Sequence, residues 1–295
     1  MGTMRKLLTV LLTVLLCITG CSSNDRAADP LSAWGDTAAK HSITEFVERV
    51  TAAGNPQFVA AEDRIAVFDN DGTLWAEALL AGDRHEGLLR VLALTHTGMT
   101  TDEFNQRVTD WMATAHHPRF GKPYDQLTYQ PQQQLLNYLR DNGFRTFIVS
   151  GGGADFMRVF SQRVYGIPPE QVVGSTGTTR YELREGEPVL VKTSDYVFVD
   201  DKAGKPSGIH EFIGHRPILA VGNSDGDQAM LEYTTIDNPR PSLGVVIHHT
   251  DADREYAYDA EPPSSGKLVT ALEAAQPNGW TVVDMTNDWK TVFAQ

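Results

Sequence analysis

Ile65-Ala66-Val67-Phe68-Asp69-Asn70-Asp71-Gly72-Thr73 is the stretch from which the rest of the chain is read. An unbroken apolar run this short, with β-branched Ile65 and Val67, predicts a strand buried on both faces, as in a parallel sheet. The chain then turns polar at once. In open α/β sheets ligands collect beyond the carboxyl ends of the strands, so Asp69 and Asp71 stand where a site is expected. Alone, the cluster also reads as an ordinary turn, because Asn, Asp and Gly are common turn residues. A calcium loop fits poorly: counted from Asp69, the sixth and twelfth positions are Leu74 and Leu80, where Gly and Glu are needed.

Outward from this stretch, apolar runs ending in polar or glycine-rich turns recur at 146–149, 171–173, 218–221 and 245–247. Helical patterns alternate with them at 43–51, 132–139, 156–164 and 228–233. The alternation predicts an α/β fold with a Rossmann-like, doubly wound parallel sheet. Residues 76–130 are too long for a simple crossover and carry helical patterns at 88–95 and 101–112, which reads as an inserted helical cap. Residues 178–199 hold Tyr181-Glu182-Leu183, a turn at Glu185-Gly186-Glu187, and Val189-Leu190-Val191, the pattern of a small β-hairpin. The expected core is then 39–75 with 131–295, closing with a helix at 267–275 and a strand at 280–285. Met230, Trp280 and Trp289 read as core residues.

Three further clusters stand at strand ends. The second strand runs into Ser150-Gly151-Gly152-Gly153 and a helix, where small residues let backbone amides and a hydroxyl approach an anion. It is not a dinucleotide fingerprint, because Phe156 takes the place of the last glycine. Asp200-Asp201-Lys202-Ala203-Gly204-Lys205 follows the hairpin, and the strand at 218–221 ends in Gly222-Asn223-Ser224-Asp225-Gly226-Asp227. Any one of these is commonly a turn. Four in this order are hard to explain that way.

In these motifs, from about Arg64 to His249, the sequence resembles the haloacid dehalogenase-like (HAD) superfamily and its phosphatases. The resemblance is closest to the phosphoserine phosphatase and phosphorylcholine phosphatase branch, which carries a helical cap between the first two motifs. It implies Asp69 as nucleophile and Asp71 as general acid and base. It also implies Thr73, Ser150, Gly151 and Lys205 as phosphate ligands, and Mg²⁺ held among Asp69, Asp71, Asn223, Asp225 and Asp227. The family usually has Asp where Asn223 stands, so the negative ligand is expected from Asp225, with Asp227 as ligand or support. Lys202 competes with Lys205, which is favoured by the Gly-Lys-Pro start of the following helix.

The expected reaction is Mg²⁺-dependent hydrolysis of a small phosphomonoester, such as phosphoserine or phosphorylcholine, through an aspartyl-phosphate. A carboxylate nucleophile splits the hydrolysis into two displacements. Asp71 gives a proton to the leaving alkoxide and takes one from water. A cation, amides and a metal offset the phosphoryl charge in the transition state. Halide leaves without a proton, so dehalogenation would leave Asp71 without a task. One rival reads Gly222-Asn223-Ser224-Asp225-Gly226 as the nucleophile elbow of a serine esterase, with Ser224, Asp237 and His248 or His249 in chain order. Another is a non-catalytic binding lipoprotein of the same fold, with Asn223 as its lesion.

Specificity is expected from the cap and from residues flanking the first motif. Trp75 and Glu77 suit a cationic head group, with core packing and a surface acid as the plain alternatives. His116 and Arg119, in a local basic cluster with His117 and Lys122, suit an anionic substrate or form a solvated loop. His248 and His249 end another strand near Asp251 and Arg254, where a structural role is the commoner one and zinc is weakly supported.

The chain has 295 residues and a net charge of −13, from 38 acidic and 25 basic residues. Binding nucleic acid by phosphate neutralisation is therefore disfavoured. Arg5 and Lys6 precede the apolar run Leu7 to Ile18, then Thr19, Gly20 and Cys21, the layout of a signal peptide over residues 1–20. Twelve helical residues rise about 18 Å, short of the roughly 30 Å hydrocarbon core. Ile18-Thr19-Gly20-Cys21 resembles the bacterial lipoprotein box, which implies lipidation of Cys21, a tether over 21–38 and an exported, lipid-anchored location in the cell envelope. Membrane contact is expected through the anchor alone, and no protein partner is expected. Cleavage removes Cys17 and leaves a net charge of −15.

Overall fold

The computed structural model describes residues 29–76, 96–261 and 266–294. The signal segment, Cys21, Glu77 and the helical pattern at 88–95 lie outside the described residues. The strands are β1 (Ile65–Phe68), β2 (Arg145–Gly153), β3 (Val172–Arg184), β4 (Glu187–Phe198), β5 (Leu219–Gly222), β6 (Leu243–Thr250), β7 (Ala257–Tyr258) and β8 (Thr281–Asp284). They form one sheet in the order β4-β3-β2-β1-β5-β6-β7, with β8 also paired to β6. The pairs β1–β2, β1–β5, β2–β3, β5–β6 and β6–β8 are parallel, whereas β3–β4 and β6–β7 are antiparallel.

Strand alternation sorts the core into two layers. Ala66, Phe68, Leu219, Val221, Val245 and Ile247 face one layer. Ile65, Val67, Ala220 and Val246 face the other. The first layer is covered by α1 (Ala38–Thr51), α2 (Thr101–Thr114) and α3 (Gln130–Asp141), through residues such as Phe46, Val108 and Leu135. Short helices α4 (Ala154–Arg158) and α5 (Ser161–Tyr165) link β2 to β3, and α6 (Gly204–Gly208) precedes β5. The second layer is covered by α7 (Gln228–Thr235) and α8 (Thr270–Ala275), before α9 (Met285–Asp288) closes the chain. Helices on both faces of a mainly parallel sheet make the fold α/β and doubly wound. Met230, Trp280 and Trp289 are buried.

Three boundaries differ from the sequence reading. The tether was expected to reach residue 38, but Leu31 and Trp34 are fully buried, and the Trp34 indole donates to the Pro131 carbonyl at 2.9 Å. Two large apolar side chains in a polar stretch have no period to reveal them, yet burying each is worth roughly 1.5–3 kcal/mol. The hairpin is no small flap: β3 leaves its parallel pairing with β2 and continues as one 13-residue strand into the antiparallel arm. That arm joins the expected cap segment, because Lys192 N–H donates to Met99 and Gly98 N–H donates to Lys192. The helix expected over 156–164 is broken in two. Among the described residues no helix is long and apolar enough to cross a membrane.

Candidate active site

β1, flanked by β2 and β5, ends where connections depart to opposite sides of the sheet, the switch point at which such sheets bind ligands. The loop after β1 is closed by the Asn70 carbonyl, which accepts from the N–H groups of Thr73, Leu74 and Trp75. Gly72 has φ +74°, and a Cβ there would meet the Asn223 amide nitrogen at 2.2 Å and the Tyr258 hydroxyl at 2.6 Å. Only glycine fits both that backbone and that space. Thr73 is buried, and its hydroxyl donates to Asn223 Oδ1 at 2.8 Å, tying the first acidic loop to the loop after β5.

Lys205, at the start of α6, is 2% exposed. Its Nζ donates to Asp69 Oδ1 at 2.7 Å, to Asp227 Oδ1 at 2.6 Å and to the Val149 carbonyl at 2.9 Å. Burial alone would depress its ammonium, but Asp227 and Asp69 hold it well above the ordinary lysine value. Lys202 is exposed, so the choice between the two lysines falls on Lys205. Burial pushes the Asp69 carboxyl up to about 8, with Asp227 and Asp71 adding to the rise and Lys205 opposing it. One lysine thus faces two carboxylates, with Asp71 adding a third charge near Asp69. Such a donor set has room for a cation.

Asp71 is half-buried, and its Oδ1 accepts from the Trp75 indole N–H at 2.7 Å. Trp75 is 3% exposed and stacks on Phe160 at 5.0 Å, so the residue expected to meet a head group instead fixes the carboxylate two residues from Asp69. A Cβ at Gly152 would lie 3.8 Å from Asp71 Oδ2 and 3.5 Å from the Ser150 hydroxyl, which places the glycine triplet beside Asp71. Ser150 is buried, and its hydroxyl accepts from Gly152 N–H at 3.2 Å. Tyr165 donates to Asn70 Oδ1 at 3.1 Å, and burial, with Asp71 and Asp69, raises its phenol well above the ordinary value.

Asp225, expected as a metal ligand, has one oxygen engaged elsewhere. Its Oδ1 accepts from Val269 N–H at 2.8 Å and Ala271 N–H at 3.0 Å, so it serves the amides at the start of α8 that have no partner within the helix. Asp227 is spent as well: its Oδ2 accepts from Asn223 N–H, Ser224 N–H and the Ser224 hydroxyl, at 2.9, 3.0 and 3.0 Å, while Oδ1 holds Lys205. Among the described residues no group of three His, Cys, Asp or Glu side chains forms a ready metal cluster. Asp69, Asp71 and the neutral Asn223 oxygen, which also accepts from Thr73, stand at the loop ends. They are hard oxygens, as Mg²⁺ prefers.

The esterase reading loses its geometry here. The Ser224 hydroxyl is bonded to Asp227, not to an imidazole, and His249 is engaged by Glu255 and the Gly72 carbonyl. His116 and Arg119 are both exposed and turned to other tasks. His116 Nδ1 lies 2.9 Å from the Thr114 carbonyl, and Arg119 donates to the Ala252 carbonyl at 2.7 Å and lies 4.4 Å over the Tyr256 ring. His249 and Glu255, absent from the expected site, are both fully enclosed beneath the first loop.

No known family model matches the sequence, and no curated protein sequence does. Several solved structures are similar at low identity. A Bordetella pertussis protein of unknown function is 14% identical over 75% of this chain and 98% of its own, with TM-score 0.48. A HAD family hydrolase from Salmonella enterica is 18% identical, covering 63% of this chain and 62% of its own, with TM-score 0.39. A phosphoserine phosphatase from T. onnurineus is 17% identical, covering 67% of this chain and 88% of its own, with TM-score 0.34. The chain therefore spans less than two thirds of the Salmonella protein's length.

Proposed function

We propose that this protein is a HAD-type phosphatase that hydrolyses a small phosphomonoester through an aspartyl-phosphate on Asp69. The observation that carries the reading is Lys205 Nζ held between Asp69 and Asp227 at the carboxyl end of the central strand, with Asp71 and Ser150 at the same mouth. Lys205 fixes one oxygen of Asp69 and leaves the other to attack phosphorus. Asp71, oriented by the Trp75 indole, is placed to protonate the departing alkoxide and then to take a proton from water. The Ser150 turn supplies a hydroxyl and glycine amides for the phosphoryl oxygens.

The residues fit Mg²⁺, because the acids outnumber the one lysine and hard oxygens remain on Asp69, Asp71 and Asn223. Bound there, the ion would supply Lewis-acid neutralisation of the phosphoryl charge and keep Asp69 ionised at neutral pH. Phosphate release from a panel of phosphomonoesters, with Mg²⁺ and with EDTA, tests the reading. Turnover that EDTA abolishes is expected. Absence of turnover across the panel, or turnover indifferent to chelation, counts against it.

From the sequence of residues 5–21 we further propose that the enzyme is exported by residues 1–20 and anchored through a lipid on Cys21. Radiolabelled palmitate incorporation in a bacterial host, lost in Cys21→Ser, is the expected outcome. Labelling that survives the substitution contradicts the anchor.

A further inference from the structure

We propose that the buried pair His249–Glu255 is the positioning group of the catalytic loop, an inference that rests on the phosphatase reading for its effect on turnover. His249 lies in β6 and is 1% exposed, and Glu255 is fully buried. The imidazole Nε2 is 2.7 Å from the Gly72 carbonyl oxygen, and Nδ1 is 2.9 Å from Glu255 Oε2. Both ring nitrogens thus face acceptor oxygens. The ring is therefore held at both ends, against the catalytic loop on one side and Glu255 on the other.

Glu255 is fixed in turn by the Tyr129 hydroxyl, 3.1 Å from Oε1, and by the Tyr256 N–H, 2.7 Å from Oε2. The His249 ring stacks on Tyr258 at 4.3 Å, and the Tyr258 hydroxyl accepts from Asn223 Nδ2 at 3.2 Å. One buried module therefore touches both loops of the site. It holds the first through the carbonyl between Asp71 and Thr73 and the second through Asn223.

A buried polar pair is a weak source of stability, because desolvation offsets much of its attraction. What this pair provides is a fixed direction. The Gly72 carbonyl belongs to a residue at φ +74° pressed against Asn223, so the donor that holds it also sets how Asp71 stands to Asp69. Trp75 fixes Asp71 from the other side.

The experiment compares His249→Leu, His249→Gln and Glu255→Gln in the full chain by kcat, KM, thermal midpoint and hydrogen exchange of residues 69–75. Gln keeps an amide donor toward Gly72, whereas Leu removes both ring nitrogens. His249→Leu is expected to lower kcat by about 10- to 100-fold, the scale of a misplaced reacting group. KM should stay within about threefold, and exchange at 69–75 should quicken. His249→Gln should recover most of both, with Glu255→Gln between. If kcat per folded molecule and exchange at 69–75 match wild type, or Gln is no better than Leu, the positioning role is overturned. Should His249→Leu fail to fold, the other two variants decide by the same readouts. A wild type without turnover sinks the phosphatase reading alone, and exchange at 69–75 then decides the positioning claim.

Discussion

Lys205 has three N–H bonds, and Asp69, Asp227 and the Val149 carbonyl take all of them. The side chain expected to bind phosphate is thus first a clamp that divides its charge between two acids. Close behind it stands Asp200, fully buried. Burial pushes this carboxyl up to about 7 against the pull of Lys205, with Asp201 adding to the rise. A carboxyl raised on folding favours the folded state fully below its unfolded value near 4, and that contribution is lost as pH rises through about 7. The swing is roughly 4 kcal/mol. Asp200→Asn carries no such charge, so its stability advantage over wild type in urea titrations should grow from pH 4 to pH 8. A difference that is flat with pH contradicts a neutral buried Asp200.

Among the elements, the turn after β5 shows how closely spaced acids acquire different duties. Asp225 and Asp227 flank Gly226, yet one faces α8 and the other Lys205. Spacing could not separate them, because the amides that claim Asp225 lie 44 and 46 residues further on. Asp225→Ala should cost roughly 1 kcal/mol of stability, as loss of a helix-capping acceptor does, with kcat and the Mg²⁺ requirement unchanged. A large loss of Mg²⁺ affinity in that variant would restore Asp225 as a ligand. The strand Ile65–Phe68 was readable to the residue because its apolar run ends abruptly at Asp69. The length of β3 was not, because it changes partners from β2 to β4 without a break in its backbone. His249 was read only as a residue at a strand end. Its partner Gly72 lies 177 residues away, and no local pattern announces that contact.

Across the whole molecule, two apolar layers hold a parallel sheet whose central strand carries Asp69, with the second and fifth strands bringing Ser150 and Asn223 beside it. The alternation of strands and helices was legible because short unbroken apolar runs alternate with helical patterns, and so was the gathering of four polar clusters at strand ends. The duties of the individual acids depend on turn geometry and on distant amides, so they emerged only with the fold. Bulk acidity disfavoured a phosphate-neutralising nucleic-acid binder but did not point to this site. The central claim is that Asp69 attacks phosphorus. Its most direct test is phosphate release by the wild type and the Asp69→Asn variant, side by side with Mg²⁺ and with folding checked by circular dichroism. The account predicts that the wild type turns over and that the folded variant loses at least about 10³-fold in kcat, as nucleophile removal does. A folded Asp69→Asn protein that retains wild-type turnover would contradict it.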